Sequence, residues 1–471
     1  MFGLDTGLTI VLLLCLLAAC AFEFINGFHD TANAVATVIY THSLKPRIAV
    51  IWSGFWNFIG VYFGGIAVAM GIVNLLPVEA LVDANMMHGI AMVMALILTA
   101  IIWNLGTWYL GIPVSSSHTL IGSIFGVGLA FGFLPGSSSV ALNWHKVEEV
   151  GLSLLISPVL GLFLTLFLLL FLKKIIKKKK IFEAPSANKK PPIWIRSLLI
   201  LTSTGVSFSH GSNDGQKGVG LVMMILIGIV PGYFAVNLSK KPAELNLCMN
   251  KIELIINRID NNALSDKAIN ENVDLIKQRI DTIQSITGKV TSFKQIPESR
   301  HFEIRKDILL IGKTTDKLLL SLKGKQNIIS SSDINDLKKN VALIKTNTEY
   351  APWWVILMIS LSLGVGTMIG WKRIVMTVGE KIGKTPMTYA QGAASQLVAA
   401  STISISSLLG LPVSTTHVLS SGVAGSMVAE DGWKNLQAST IKNIGLAWVI
   451  TLPVTIVLSG SLFLLLRWIL H

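Results

Sequence analysis

Two aspartates and two hydroxyl runs stand where an apolar sequence has least use for them. Asp30 and Asp214 each lie in or beside an apolar stretch, among small residues. A charged side chain at membrane depth costs at least a few kcal/mol, so such a group is expected to bind a cation or take up a proton. Ser115-Ser116-Ser117 and Ser414-Thr415-Thr416 each follow Pro-Val and precede a His. Pro113 and Pro412 suit the first turn of a helix, and Ser or Thr suits its cap. A helix starting there aims its unpaired N–H groups and its positive dipole end at one spot, which makes an anion site without a formal charge. The plainer role of such hydroxyls is helix–helix contact, but packing does not require the repeated Pro and His. Adjacent Ser and His do not form a nucleophile–base pair, and no carboxylate is placed to orient the His, so an enzyme is not expected and no catalytic residue is assigned.

Both motifs occur twice and in the same order. Gly111-Ile-Pro-Val-Ser-Ser-Ser-His118 matches Gly410-Leu-Pro-Val-Ser-Thr-Thr-His417, and Gly27-Phe-His-Asp30-Thr-Ala-Asn33 aligns without gaps on Gly211-Ser-Asn-Asp214-Gly-Gln-Lys217. Asp30 and Ser115 are 85 residues apart, Asp214 and Ser414 200 apart, and a polar insert fills most of the difference. Lys217 takes the place of Asn33, to neutralise Asp214, contact an anion, or snorkel from a helix end. Asn33, Asn213 and Gln216 can ligate a cation or close helix contacts. Glu23, inside an apolar stretch, and His29, His118, His210 and His417 are candidates for moving a proton, although each His serves equally well as a structural hydrogen-bonding group.

The elements that must hold these residues are membrane helices. The 471 residues are 52% hydrophobic and only 14% charged, with a mean hydropathy of +0.63; soluble domains carry about 25% charged residues. Leu8–Phe22, Ile48–Leu76, Gly89–Trp103, Leu152–Leu172, Ile193–Val206, Trp353–Trp371 and Ile444–Leu466 are largely free of charge, and several approach the ~20 residues that a spanning helix needs. Unalternating apolar runs disfavour a membrane β-barrel. The predicted organisation is a first membrane repeat (1–172), a basic cytoplasmic linker (173–192), the start of a second repeat (193–237), a polar helical extramembrane insert (238–350) and the remainder of the second repeat (351–471). In the insert, Ile252, Ile255, Ile256 and Ile259 recur at helical spacing, as do Leu275 or Ile276, Arg279 or Ile280, and Ile283, which predicts amphipathic helices.

Charge sets the topology. The net charge of +13 is concentrated at membrane edges, where positive residues stay in the cytoplasm rather than bind nucleic acid. Lys45, Arg47, the lysines of 173–180, Lys189 and Lys190, and Lys372, Arg373, Lys381 and Lys384 belong inside. Five spans in the first repeat then place the N-terminus and the insert outside, and the two repeats run in opposite senses, as in many secondary transporters. Arg467 falls on the outer side, against this rule. The fold class is thus an all-α polytopic membrane protein with two inverted-topology repeats, broken helices or re-entrant hairpins, and a helical insert. Cys15, Cys20 and Cys248 give no disulfide or metal spacing. Leu17-Ala-Ala-Cys20 mimics a lipoprotein box but lacks a basic n-region, so Cys15 and Cys20 are read as buried small hydrophobes. The frequent glycines (Gly54, Gly60, Gly64, Gly65, Gly122, Gly126, Gly128, Gly364, Gly366 and Gly370) serve close helix packing, and with no Walker-type loop, direct drive by ATP is not expected.

Phe22-Glu-Phe-Ile-Asn-Gly-Phe-His-Asp-Thr-Ala-Asn-Ala-Val-Ala, Ser207-Phe-Ser-His-Gly-Ser-Asn-Asp-Gly-Gln-Lys-Gly and both Pro-Val-Ser motifs resemble the Pit family of inorganic phosphate transporters, over essentially both membrane halves. Where the broader family pattern is Gly-Ala-Asn-Asp-Val-Ala-Asn, this chain has Phe28-His29 before Asp30 and Gly-Gln-Lys after Asp214. These departures resemble the low-affinity, proton-coupled bacterial branch, which takes up phosphate as a neutral complex with a divalent metal. The resemblance implies phosphate contacts at Asp30, Asn33, Ser115, Ser116, Ser117, Asp214, Lys217, Ser414, Thr415 and Thr416, and a metal at Asp30, Asn213 and Asp214. It implies co-transport of a proton with Mg²⁺ or another divalent cation, no permanently bound cofactor, and a multi-pass place in the bacterial inner membrane. A homodimer is left open. The alternatives are a sodium-coupled phosphate or sulfate symporter and a membrane channel or receptor.

Overall fold

The computed structural model describes residues 2–76, 86–112, 114–134, 142–177, 179–186, 190–262, 266–323, 328–369 and 382–470. Expectations that fall on Pro113, Lys178, Lys189, Gly370, Trp371, Lys372, Arg373 and Lys381 lie outside them.

The chain is all-helical among these residues. The first half holds α1 (Thr6–Tyr40), α2 (Pro46–Phe63), the short α3 (Ala67–Val73), α4 (Met86–Tyr109), α5 (Ser116–Gly132) and α6 (Trp144–Ile175). The second holds α7 (Ile193–His210), a π-helical turn at Gly211–Gly215, α8 (Gln216–Ile229), four polar helices α9 (Pro242–Asn262), α10 (Lys267–Thr287), α11 (Glu298–Ser321) and α12 (Ser331–Lys345), then α13 (Trp353–Thr367), α14 (Tyr389–Leu408), α15 (Thr415–Asp431) and α16 (Ala438–Leu470). Among the described residues four helices are long and apolar enough to cross a membrane, Thr6–Tyr40, Met87–Tyr109, Trp144–Ile175 and Ala438–Leu470, and a fifth span is formed if α2 and α3, bent by 72°, count as one. The five spans expected of the first half alone are not all found among the described residues: α5 has 17 residues and is buried along nearly its whole length, so it serves as the inner arm of a hairpin with α4. The outer faces of α6 and α16 present bare apolar side chains, with Leu155 71% and Val457 67% exposed. A surface of that kind suits lipid, not water.

The hairpins α4–α5 and α14–α15 are built alike. Each outer arm ends at a glycine in the left-handed region, Gly111 at φ +68° and Gly410 at φ +69°. Around each, the paired hydrogen bonds of a Schellman turn close the helix: Ile112 N–H to Thr107 O and Gly111 N–H to Trp108 O in one, Leu411 N–H to Ser406 O and Gly410 N–H to Ser407 O in the other. The inner arms then start from Ser115 and Ser414, whose side chains accept from the N–H groups of His118 and His417. The long helices exchange partners, α6 packing on α15 and α16 on α5. Glycine permits this. A Cβ at Gly126 would meet the Ile456 carbonyl and Ser459, and one at Gly425 the Leu162 carbonyl. Of the glycines expected to pack, Gly65 differs: it sits at φ +84° with open space around it, as a turn residue between α2 and α3.

Two compact units emerge, one of Met1–Leu8 with Leu226–Tyr350, the other of Thr9–Ile225 with Ala351–His471. The smaller starts twelve residues before the polar composition does, because Val236 belongs to its core. Ile252, Ile255, Ile256 and Ile259 of α9 are buried against Ile276, Ile280 and Ile283 of α10. Arg305 is fully buried in this unit and donates to the Thr348 carbonyl at 2.5 Å; burial pulls its guanidinium down to about 10.

Candidate functional site

The four motifs converge in the interior of the larger unit. Asp30 lies inside the unbroken α1, whereas Asp214 lies in the π turn that joins α7 to α8. A π turn holds one extra residue per turn and is frequent at functional sites. It is accommodated by glycines, since a Cβ at Gly211 would strike the Asn57 carbonyl and one at Gly215 the side chain of Val61.

Hydroxyls from both hairpin tips bond to the two carboxylates. Thr416 Oγ1 donates to Asp30 Oδ1 at 2.7 Å and Ser116 Oγ to Asp30 Oδ2 at 3.2 Å. Thr415 Oγ1 donates to Asp214 Oδ2 at 2.9 Å. Lys217 forms a short ion pair with Asp214 and also donates to Ser117 Oγ at 2.5 Å and to the Val413 carbonyl at 2.9 Å. Asn33 Nδ2 reaches Thr416 Oγ1 at 3.1 Å. Each aspartate site therefore borrows from the other half, Asp30 through Thr416 and Asp214 through the Lys217–Ser117 contact. Ser115 and Ser414 act as caps, and the N–H groups that follow them have no carbonyl in their own helix.

His210 stands between the carboxylates, 3.0 Å from Asp214 Oδ2 and 3.6 Å from Asp30 Oδ2, and its Nε2 is aligned for a hydrogen bond with neither. Ligand atoms of Asp30, His210 and Asp214 lie within 4.8 Å of one another, all buried. Asn213, expected as a metal ligand, is placed differently. Its amide donates to Ser407 Oγ at 3.0 Å and the Leu411 carbonyl at 3.2 Å and accepts from Val413 N–H, bracing the second hairpin tip; the π turn swings it away while bringing His210 in. Gln216 likewise ties Val68 N–H and the Gly64 carbonyl, a helix contact.

The remaining candidates surround this centre. His29 is 3.3 Å from Asp30 and 3.4 Å from Thr107. The rings of His118 and His417 meet in a tilted contact with centroids 4.4 Å apart, and His417 stacks on Trp448 at 3.8 Å; His118 also bonds Ser115 Oγ at 3.0 Å. They join the hairpins to each other. Glu23 is fully buried and lies against Gly218. Asn26 donates to its Oε2 at 3.2 Å, while Glu23 Oε1 and Asn26 Oδ1 have no donor. Sequence reasoning missed Asn57, whose Oδ1 accepts from His210 Nδ1 at 2.9 Å and whose Nδ2 donates to Thr367. The signal was present, since Asn57 and Thr367 are isolated polar residues within apolar runs.

An all-helical membrane protein whose duplicated hairpin tips meet buried carboxylates at its centre belongs to the class of ion-carrying membrane transporters. The profile of the phosphate transporter family matches residues 26–459. The chain is 43% identical to the low-affinity inorganic phosphate transporter PitB of Escherichia coli and 42% identical to PitA of the same bacterium, over 98% of this chain and 97% of each relative. It belongs to the phosphate transporter family, as the resemblance to Pit proteins implied. Among solved structures, one described as the sodium-dependent phosphate transporter shares its fold with a TM-score of 0.56 at 19% identity, covering 98% of this chain and 100% of that one.

Proposed function

We propose that this protein imports inorganic phosphate across a bacterial inner membrane, as a neutral metal–phosphate complex in symport with protons, by alternating access of two inverted halves. The observation that carries this reading is the meeting of both hydroxyl triplets with both aspartates in one buried place. The N-termini of α5 and α15, with Ser116, Ser117, Thr415 and Thr416, would receive the oxyanion through hydroxyls and N–H groups. Asp30 and Asp214, with His210 between them, would hold its cationic companion. That companion has a physical reason to travel. Two carboxylates and a phosphate dianion leave excess negative charge even with Lys217 present, and uncompensated charge at this depth is costly. An inside-negative potential also draws in any net positive load, by ~2.3 kcal/mol per charge per 100 mV. The names of the Escherichia coli relatives point to the same substrate.

The test is uptake of labelled phosphate into proteoliposomes under imposed proton, sodium and magnesium gradients in turn. Stimulation by an inward proton gradient and by Mg²⁺, with sodium dispensable, is expected. A second reading, sodium coupling, is favoured by the structural neighbour's description; strict sodium dependence would establish it and overturn proton symport. Flux that dissipates a gradient without coupling would indicate a channel.

A further inference from the structure

A cavity of 270 Å³ lies beside the central site rather than in it. Its walls include Thr37 near the end of α1, Val423 and Met427 of α15, and Lys384 and Thr385 in the segment before α14. Thr37 is seven residues beyond Asp30 and Val423 seven beyond Thr416. Seven residues are about two helical turns, so both positions lie on the faces that carry the site, about 10 Å along their helices. The two helices that hold the central carboxylate and hydroxyl thus lead together into this one cavity.

The layer between is polar. Asn33 bonds Thr416 at its inner edge. Ser420, one turn past Thr416, is buried and its hydroxyl has no partner. An unmade hydrogen bond in a buried place carries a penalty, and nothing in the surrounding packing relieves it here. Among the described residues the cavity wall has the sign that suits an anion: it holds Lys384 and three threonines, Thr37, Thr41 and Thr385, and no Asp or Glu. Thr37 lines this wall two turns beyond Asp30. The basic segment after α6 contributes Pro185 to the lining, and Lys45 and Arg47 follow the end of α1, so the positive-inside principle places the mouth on the cytoplasmic side.

We propose that this cavity is a second oxyanion site, an inner vestibule where phosphate rests on the Thr37 hydroxyl and the Lys384 ammonium after leaving the central site past Ser420. This rests on the phosphate-transport reading above, and the experiment separates the two. Cys15, Cys20 and Cys248 are replaced by alanine, Thr37→Cys is introduced, and a membrane-impermeant thiosulfonate is applied to sealed vesicles of each orientation. Labelling is expected from the cytoplasmic face only, slowed several-fold by inorganic phosphate and not by chloride at equal ionic strength. Labelling from the outer face only, or a rate that phosphate leaves unchanged, overturns the vestibule. In parallel, Lys384→Gln is expected to raise the half-saturating phosphate concentration for efflux roughly tenfold, the loss of one charge-assisted hydrogen bond, and more than it does for influx; equal shifts on both faces count against the proposal. Absence of phosphate uptake by the parent protein would overturn the functional reading and the vestibule together, whereas parental uptake with unprotected Thr37→Cys overturns the vestibule alone.

Discussion

Replacing Lys217 with methionine removes the group on which both halves close. Its ammonium has three N–H groups, and Asp214, Ser117 and the Val413 carbonyl accept them. Methionine is similar in length and apolar, so overpacking contributes little. The loss is electrostatic: Asp214 is fully buried and would keep only Thr415 and the poorly aligned His210. Stripping one partner from a buried ion pair costs about 3–5 kcal/mol, equivalent to roughly 150- to 5,000-fold in an equilibrium constant. The purified variant is expected to melt well below the wild type and to lose phosphate uptake in proteoliposomes. The pair Asp214→Asn with Lys217→Met no longer leaves an uncompensated charge, so it should recover most of the lost stability and none of the uptake. Wild-type melting and uptake in Lys217→Met would place the ammonium outside both the structural bridge and the site. A double variant less stable than Lys217→Met alone would refute the unpaired carboxylate as the source of the loss.

Other expectations follow from single contacts. Asp30→Asn keeps the shape that Thr416 and Ser116 bond but not the charge, and should lower gradient-driven uptake at least 100-fold, the worth of about 3 kcal/mol, while the protein still inserts; wild-type rates would remove Asp30 from the site. Glu23→Gln places an N–H beside acceptors that now lack a donor, so phosphate exchange at equilibrium should persist while accumulation driven by a proton gradient falls; undiminished accumulation would exclude Glu23 from coupling. Gly126→Val forces side-chain atoms into the Ile456 carbonyl and Ser459, and the yield of folded protein after extraction should drop sharply. Ile280→Ala opens the core of the polar unit, where the side chain is fully buried, at a cost of about 2–5 kcal/mol; limited proteolysis should then cut within residues 226–350 faster than in the wild type.

Much of this centre was legible because it is duplicated. The repeated Gly-x-Pro-Val-Ser run encodes a Schellman glycine followed by a serine cap, and both copies adopt that backbone. The polar insert was legible as helical from isoleucine spacing alone, but its start was not, since Leu226–Val236 reads as membrane sequence while Val236 packs in the smaller unit. The Asp motifs were harder. Their gap-free alignment conceals that Asp30 lies in a regular helix and Asp214 in a π turn. One extra residue per turn rotates neighbouring side chains relative to the first copy, which is why Asn213 braces a hairpin while His210 faces the carboxylates. No alignment of the two halves gives pairings that cross between them, because such pairings depend on how the hairpins dock.

Those crossing contacts decide what the site can do. Asp30 takes a hydroxyl from Thr416, and Lys217 takes one from Ser117, so each half supplies a group that the other's motif requires. Neither half has a complete site alone, and any motion that parts the hairpin tips must break bonds to charged groups worth roughly 1.5–3 kcal/mol each. Lys217 donates to Ser117, Asp214 and the Val413 carbonyl, and the hydroxyls that Ser116, Thr415 and Thr416 give to the two aspartates come from the hairpin tips. The oxyanion and cation of the proposed symport would offer the same kinds of partner, acceptors for Lys217 and the hydroxyls, positive charge for the carboxylates. Under the proposed symport, a loaded site would exchange protein contacts for substrate contacts, whereas an unloaded one would only lose them, and that asymmetry would meet the physical requirement for carrying an ion pair without leaking charge.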